Sequence, residues 1–339
     1  MNEPNLPLPP NPTLVAAALY GTTGPMTFGQ ILDRVFRLTR SHFRPFATIG
    51  MVPFGVLIAL DGAFLGALAL DGVFKHPAAQ PNTATILWII LPLSLLFIPA
   101  MLLLYGLYYG AASYAALQAD RGTSVTAGEA LGHGWNKAGR YAWLLLLRGL
   151  IVSIPIFVCM LAVAGGAMLL GLARNPSANA GALFLLIPLG ILLYLGAIVY
   201  AVIMSLRLSL AFPACVQEDL TASQAIKRSG VLTKGAKGRI FLVLLVIYAI
   251  SYAFVMVMYA VGLFVFAIGA LAGAGHLSPA SPVGISLIVL ACIVTIALMA
   301  LWIALLMAAY STAFAVFYRD QCMRMHGWVP MPGRINECA

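Results

Sequence analysis

The third apolar segment of the chain, residues 141–172, reads YAWLLLLRGLIVSIPIFVCMLAVAGGAMLLGL, and Arg148 is its only charged residue. A helix needs about 20 apolar residues to cross the hydrocarbon core of a bilayer, so this segment is long enough to span a membrane. Five further segments are similarly apolar, at residues 45–70, 86–117, 181–216, 240–272 and 283–318. The sequence therefore predicts an all-α polytopic membrane protein with six transmembrane helices.

The composition of the whole chain supports this prediction. Of its 339 residues, 62% are hydrophobic and 9% are charged, whereas a soluble domain has about 25% charged residues. We expect no soluble catalytic domain, because no charge-rich stretch is long enough to form one. Residues 1–26 are expected to be a disordered, Pro-rich cytoplasmic tail, residues 27–320 a membrane domain, and residues 321–339 a short cytoplasmic tail.

The basic residues predict the orientation of the chain in the membrane. Fifteen of the nineteen Lys and Arg residues precede spans one, three and five or follow span six, and only Lys75 and Arg174 lie in the alternate loops. Cytoplasmic loops carry an excess of Lys and Arg, so both termini are predicted to be cytoplasmic, in the cytoplasmic (inner) membrane. We expect these charges to attract anionic lipid headgroups, and not nucleic acid.

A capping-box pattern, Ser/Thr-x-x-Glu/Gln, opens each of the three long cytoplasmic segments. The pairs are Thr27 with Gln30, Thr126 with Glu129, and Thr221 with Gln224. In such a box the two side chains bond amides of the first helical turn reciprocally, so each pair predicts the start of a short helix. An apolar stripe follows the first box, with basic residues on the other face, which predicts an amphipathic helix against the headgroups. The stripe consists of Phe28, Ile31, Leu32, Val35 and Phe36.

The near-constant spacing of the boxes predicts a threefold internal repeat, with units at about residues 27–120, 126–219 and 221–320. Each unit would hold one short helix and two spans and would end in an acid. An alternative explanation is that every helical membrane protein needs capped, basic loops. That alternative accounts for the boxes but not for the match between Leu-Thr-Arg at 38–40 and Leu-Thr-Lys at 232–234. Two-span units repeat in parallel, which argues against an inverted-repeat transporter.

Three charged residues lie inside the predicted spans, namely Asp61, Arg148 and Arg207. Charge inside a membrane is costly and marks a candidate functional site. One interpretation is a polar cavity, lined by Asp61, Tyr105, Tyr108, Tyr109, Arg148 and Arg207. The other is that Asp61 is interfacial and that both arginines extend to the membrane surface for structural reasons.

Small residues and prolines inside the spans have a structural interpretation. Gly106-x-x-x-Gly110 and Gly269-x-x-x-Gly273 predict close contacts between helices, and Pro155, Pro188 and Pro213 predict kinks. The chain contains no GxSxG, HExxH, GxxxxGK[ST] or GxGxxG motif. We therefore predict no catalytic residue, no cofactor and no metal site, and expect that the protein is not an enzyme.

Two stretches resemble a known family. Residues 27–40, TFGQILDRVFRLTR, lead into the first span, and residues 225–235, AIKRSGVLTKG, lead into the fifth. Both are similar to prokaryotic proteins of the glycerophosphoryl diester phosphodiesterase membrane domain family and to related uncharacterised multi-span proteins. In that family a soluble phosphodiesterase barrel can follow the membrane region. We expect no barrel in this chain, so the resemblance implies the membrane architecture and no activity.

The first functional hypothesis is a membrane scaffold or lipid-interacting module that binds anionic headgroups or docks a cytoplasmic protein partner. Its candidate headgroup-binding residues are Arg34, Arg37, Arg40, Lys227, Arg228 and Lys234. The second hypothesis is a small transporter or channel with a polar path near Arg207. The third, an intramembrane lipid enzyme, lacks an evident acid and base pair. The oligomeric state is not predicted.

Overall fold

The computed structural model describes residues 26–70, 83–169, 180–274 and 282–326. These residues form ten α-helices and no strand. The helices are α1 (Phe28–Ser41), α2 (Phe43–Leu70), α3 (Thr83–Asp120), α4 (Ala127–Asn136), α5 (Ala138–Leu169), α6 (Ala180–Arg207), α7 (Ala211–Gln217), α8 (Ala222–Leu232), α9 (Lys237–Ala274) and α10 (Pro282–His326). Six segments are long and apolar enough to cross a membrane, which confirms the predicted multi-pass helical fold.

The six spans follow one another around the bundle in chain order. α2 packs against α3, α3 against α5, α5 against α6, α6 against α9, and α9 against α10, which returns to α2. α3 and α10 also contact each other across the bundle. The short helices α1, α4 and α8 all lie at one end, which we call the charged end. The spans therefore form a ring, and its sparsest contact between neighbours is that of α6 with α9.

Each short helix begins at its predicted capping box. The amides of Thr27, Thr126 and Thr221 donate to the Gln or Glu side chain three residues later at 2.8, 3.1 and 3.1 Å. α4 packs against α3, α8 against α7, and α1 against α10. Each short helix thus packs against the span that precedes it around the ring, which is the second, fourth or sixth span. Three copies of one unit would produce this arrangement, and the duplication itself stays a prediction.

The first short helix, α1, uses part of its apolar stripe for packing. Ile31 and Val35 are fully buried, whereas Phe36 is 45% exposed. Thr39 near the end of α1 shares a hydrogen bond of 2.9 Å with Thr312 on α10. The apolar stripe is therefore wider than the face of α1 that packs against the bundle, and Phe36 lies on the part of the stripe that is exposed.

The fourth span is interrupted, whereas the sequence predicted one kinked helix over residues 181–216. α6 ends at Arg207, a turn follows, and α7 begins at Ala211. In a continuous helix, Pro213 could not donate to the carbonyl four residues earlier, and its ring would collide with that carbonyl. Within the first turn of a new helix the missing amide hydrogen has no partner to lose. The predicted kink is thus a full break.

Hydroxyl groups of α8 bond the carbonyl at this break. Ser229 Oγ donates to the backbone oxygen of Arg207 at 2.7 Å, and Thr233 Oγ1, which has a shorter bond of 2.9 Å to the Ser229 carbonyl, shares its hydrogen with the Arg207 oxygen at 3.3 Å. Ser229 and Thr233 are fully buried. An unpaired carbonyl in a buried setting is costly, so these two bonds stabilise the interruption and fasten α8 to the fourth span.

The crossing of α3 and α5 depends on the glycines of the predicted Gly106-x-x-x-Gly110 contact. A Cβ atom on Gly106 would lie 2.5 Å from the backbone nitrogen of Ala142, and one on Gly110 would overlap the ring of Tyr141. This confirms the packing role of the first motif. The surroundings of Gly269 and Gly273 lie outside the side-chain environments that the structure describes.

Candidate functional site

Charged side chains meet where the second, fourth and sixth spans end, near the C-terminal ends of α3, α7 and α10. We call this group the ion-pair layer. It comprises the acids Asp120, Glu218 and Asp320 and the arginines Arg34, Arg228, Arg239, Arg319 and Arg324. A charge removed from water is stable only when it is paired and hydrogen-bonded, so the geometry around each acid decides what the layer does.

Asp120, the last residue of α3, joins three helices. Arg34 Nε on α1 donates to Asp120 Oδ1 at 2.6 Å, and Arg319 Nη1 on α10 donates to Oδ2 at 3.1 Å. Both arginines also donate to the backbone oxygen of Asp120, at 3.0 and 3.2 Å. The carboxylate is only 3% exposed. The helices α1, α3 and α10 therefore meet at one buried anion.

Asp320 on α10 is the second buried acid, and its side chain is fully enclosed. Arg324 Nε donates to Asp320 Oδ2 at 2.8 Å, and Arg239 Nη1 on α9 lies 3.5 Å from the same oxygen. The backbone amide of Met26 donates to Oδ1 at 2.9 Å. This carboxylate therefore binds Met26, two residues before α1, to the last two spans.

Glu218, directly after α7, is the third acid. Arg228 Nε on α8 donates to Glu218 Oε1 at 2.9 Å, and the hydroxyl of Tyr318 on α10 donates to the same oxygen at 2.7 Å. With Asp120 and Asp320, it ties the charged ends of α3, α7 and α10 together. The layer consequently holds this end of the bundle closed.

Asp219 forms a separate, exposed group beside the layer. Lys137 Nζ and Arg140 Nη2 both donate to Asp219 Oδ1, each at 2.5 Å. These hydrogen bonds, that from Lys137 first, lower the pKa of the Asp219 carboxyl to about 2. Asp219 also adopts a left-handed backbone with φ of 52°, which Asp and Asn tolerate better than most residues. The residue therefore ends the fourth span and anchors the start of α5.

A small cavity, whose lining is largely apolar with a few polar groups, lies inside the bundle between α3, α5, α7 and α10. Its volume is about 20 Å³, roughly the space that one water molecule needs. It is lined by Arg148, three tyrosines and three serines, namely Tyr108, Tyr109, Tyr310, Ser113, Ser209 and Ser311. Among the described residues, no carboxylate lies within 4.0 Å of the Arg148 guanidinium. The cavity therefore combines one cation with neutral hydroxyl groups.

The structure brings together half of the residues that the sequence suggested for a cavity. Tyr108, Tyr109 and Arg148 line it, whereas Tyr105 and Arg207 do not. Arg207 is exposed on the outside of the bundle at the end of α6. The side chain of Asp61 lies outside the described side chains. The serines and Tyr310 were not predicted, because uncharged polar residues on apolar helices carry no distinctive spacing.

The candidate headgroup-binding residues fall into two groups. Arg34 and Arg228 belong to the ion-pair layer and are engaged by acids of this chain. Arg37, Arg40, Lys227 and Lys234 are exposed; of these, Arg37 pairs with Asp33 on the surface of α1 at 3.1 Å. Some of the candidate cations thus pair with acids of the chain, whereas others are exposed and accessible to an external anion.

Comparisons with protein-family models, with curated proteins and with solved structures find no match to the chain. The resemblance to the glycerophosphoryl diester phosphodiesterase membrane domain family accordingly stays a prediction based on residues 27–40 and 225–235.

Proposed function

We propose that this protein is a non-enzymatic scaffold or lipid-interacting module of the cytoplasmic membrane, whose charged end binds anionic headgroups. The observation that supports this most is that the cations at that end fall into two groups, those paired with acids of the chain and those that are exposed. The acids of the ion-pair layer are used to hold the spans together. Other cations are exposed, with no carboxylate within 4.0 Å among the described residues. They are Arg40, Arg44, Arg207, Lys227, Lys234 and Lys237.

Exposed aromatic side chains on the short helices favour headgroup contact. Trp135 on α4 is 72% exposed and borders an open groove that Val52 of α2 and Leu107 of α3 also line. Exposed indole rings are typical of the level of lipid headgroups. Phe36 on α1 is exposed beside basic residues in the same way. Such a combination of aromatic and basic side chains suits the membrane interface.

The orientation that we propose places the charged end in the cytoplasm. Fifteen basic residues belong to the segments at this end by sequence, and the positive-inside rule assigns such segments to the cytoplasm. Both termini would then be cytoplasmic, and a cytoplasmic protein partner could reach the same surface. The architecture would be that of the membrane domain family which residues 27–40 resemble.

Reconstitution of the full chain into mixed phosphatidylcholine and phosphatidylglycerol bilayers tests this function. Native nanodiscs cut from these bilayers should be enriched in phosphatidylglycerol, since each basic residue near an anionic surface contributes about 1 kcal/mol. The triple variant Arg40→Gln, Arg44→Gln, Lys237→Gln should reduce this enrichment, since it removes three of the six exposed cations. Its matched control, Arg40→Lys, Arg44→Lys, Lys237→Arg, keeps the charge and should retain it. Equal lipid composition around all three proteins would contradict the proposal.

A second candidate function, transport, has one observation in its favour. Arg148 and several hydroxyl groups line a cavity inside the bundle, and an intramembrane cation can mark an ion path. We propose it as the alternative, with the path near Arg148 and Tyr109 instead of Arg207. In flux assays on liposomes, Arg148→Gln should abolish the passage of small anions and phosphodiesters, and Arg207→Gln should not. No flux through the native protein would eliminate this alternative.

A further inference from the structure

The outer face of α8 carries cations on both sides of a glycine. Lys227, Gly230 and Lys234 are spaced three and four residues apart, which places them on one side of a helix. Lys234 lies just beyond the end of α8, where its amide still donates to the carbonyl of Val231 at 3.1 Å. Lys227, Lys234 and Val231 are exposed. This face, which we call the basic strip, therefore carries two lysines with a gap between them at Gly230, which has no side chain.

A third cation, from a different helix, fills that gap. The guanidinium of Arg207, at the end of α6, lies over Gly230: a Cβ atom on this glycine would be 3.1 Å from Arg207 Nε and 3.4 Å from Nη2. Gly230 thus leaves the room that Arg207 occupies. Because Gly230 lies between the two lysines on the helix face, the fold gathers three cations from two elements.

Among the described residues, no acid lies within 4.0 Å of any of these three cations. The carbonyl at the end of α6 is already bonded by the hydroxyls of Ser229 and Thr233, so Arg207 is not required to cap it. The nearest acids in the chain, Glu218 and Asp219, are engaged by other cations. Like charges on one face repel each other, and an external anion would relieve the repulsion.

We propose that Arg207, Lys227 and Lys234 bind the phosphate of a membrane phospholipid at the end of the fourth span. A guanidinium can hold a phosphate with two parallel hydrogen bonds, and lysines add point charges. Three cations favour a headgroup with two negative charges, a phosphate monoester, over one with a single charge. This inference deepens the proposed function and rests on it, because it names the lipid class and the residues.

The surroundings favour a phosphate that carries acyl chains over a free one. Arg207 is the last residue of a spanning helix, and the turn before it exposes Val199, Val202 and Ile203. Val231 in the basic strip is 50% exposed. α6 also makes few contacts with its neighbour α9, which leaves this flank of the bundle open to lipid. Apolar surface thus adjoins the three cations on the membrane side.

Native mass spectrometry of the full chain in detergent, titrated with phosphatidic acid, phosphatidylglycerol or inorganic phosphate, tests the site. Phosphatidic acid should bind more tightly than phosphatidylglycerol. Arg207→Gln and Lys227→Gln should each raise its apparent Kd about tenfold, the usual effect of losing one charge-assisted hydrogen bond. Arg40→Gln, which removes a charge from α1, should change it less than about twofold. Gly230→Leu keeps every charge but fills the place of the guanidinium, and should weaken binding like Arg207→Gln.

The site would be refuted if Arg40→Gln weakened binding as much as Arg207→Gln, since the lipid would then respond only to the overall charge. Displacement of the lipid by an equal concentration of inorganic phosphate would refute a lipid site. Unchanged affinity in Gly230→Leu, with the fold intact by circular dichroism, would refute the placement of the site. Each of these results leaves the enrichment of anionic lipid by the native protein intact. Loss of that enrichment would refute the proposed function itself.

Discussion

Arg34 on α1 donates from Nε to Oδ1 of Asp120, the last residue of α3, at 2.6 Å. The two residues are separated by 86 positions in the chain, and both side chains are largely buried. Arg319 reaches the same carboxylate from α10. A single anion thus joins three helices at the charged end.

Replacing Asp120 by Ala should destabilise the protein strongly. Removing one partner of a buried ion pair leaves an uncompensated charge, which costs about 3–5 kcal/mol, and here two arginines would lose a carboxylate that both contact. The free energy of unfolding, measured by denaturant titration in mixed micelles, checks this. Asp33→Ala is the control: its pair with Arg37 is more than 70% exposed on both sides and should change stability by less than about 1 kcal/mol. Similar losses in the two variants would show that the layer is not structural.

Gly106→Ala should disrupt the crossing of α3 and α5. The added methyl group would meet the backbone of Ala142 at 2.5 Å, and backbone cannot move aside cheaply, so a loss of about 1–3 kcal/mol is expected. Gly149→Ala on α5 is the matched control, because a Cβ atom there meets nothing within 4 Å. Thermal unfolding of both variants in detergent measures the difference. A Gly106→Ala protein as stable as the control would contradict the close approach.

Ser229→Ala should loosen the attachment of α8 to the broken fourth span. The variant removes the 2.7 Å hydrogen bond to the Arg207 carbonyl, and a buried carbonyl that loses a partner costs about 1–3 kcal/mol. Hydrogen exchange of α8 amides should accelerate, while that of α5 should not. Ser223→Ala, on the exposed side of the same helix, should leave the exchange unchanged. The prediction fails if both serine variants exchange alike.

The Asp219 carboxyl should titrate near pH 2. Hydrogen bonds from Lys137 and Arg140 favour its charged form and lower its pKa to about 2 from the ordinary 3.8. Because the folded pKa is depressed, the stabilisation is complete above about pH 4 and disappears as the pH falls toward 2. Carboxyl carbon NMR of the labelled protein can follow the titration. Lys137→Gln should move the pKa upward, and an unmoved value would exclude the pairing.

Much of the fold could be predicted from residues that act locally. Thr27, Thr126 and Thr221 open helices because a capping box involves only three neighbouring residues, and the spans follow from apolar length alone. The interruption after Arg207 was missed, since Pro213 is compatible both with a kink and with the first turn of a new helix. Only the packing of α8 against that carbonyl distinguishes the two.

The candidate site was harder to predict because it depends on distant contacts. The acids Asp120 and Asp320 occur at matching span ends, a signal visible in the sequence, but their partners are chosen by packing. Tyr318 and Glu218 are 100 residues apart and meet only because α10 lies beside α7. For Arg207 the sequence left two interpretations open, a place in a polar cavity and an extension to the membrane surface, because the apolar pattern does not show where the fourth span is interrupted. The break places it on the outer surface.

The bond from the Met26 amide to Asp320 and the packing of α2 against α10 have a topological consequence. The first and last spans are neighbours, so the six spans form a ring in which each span contacts the span before it and the span after it. Circular permutation that opened the backbone at the turn around Gly122, between α3 and α4, would preserve the packing partners of every described helix.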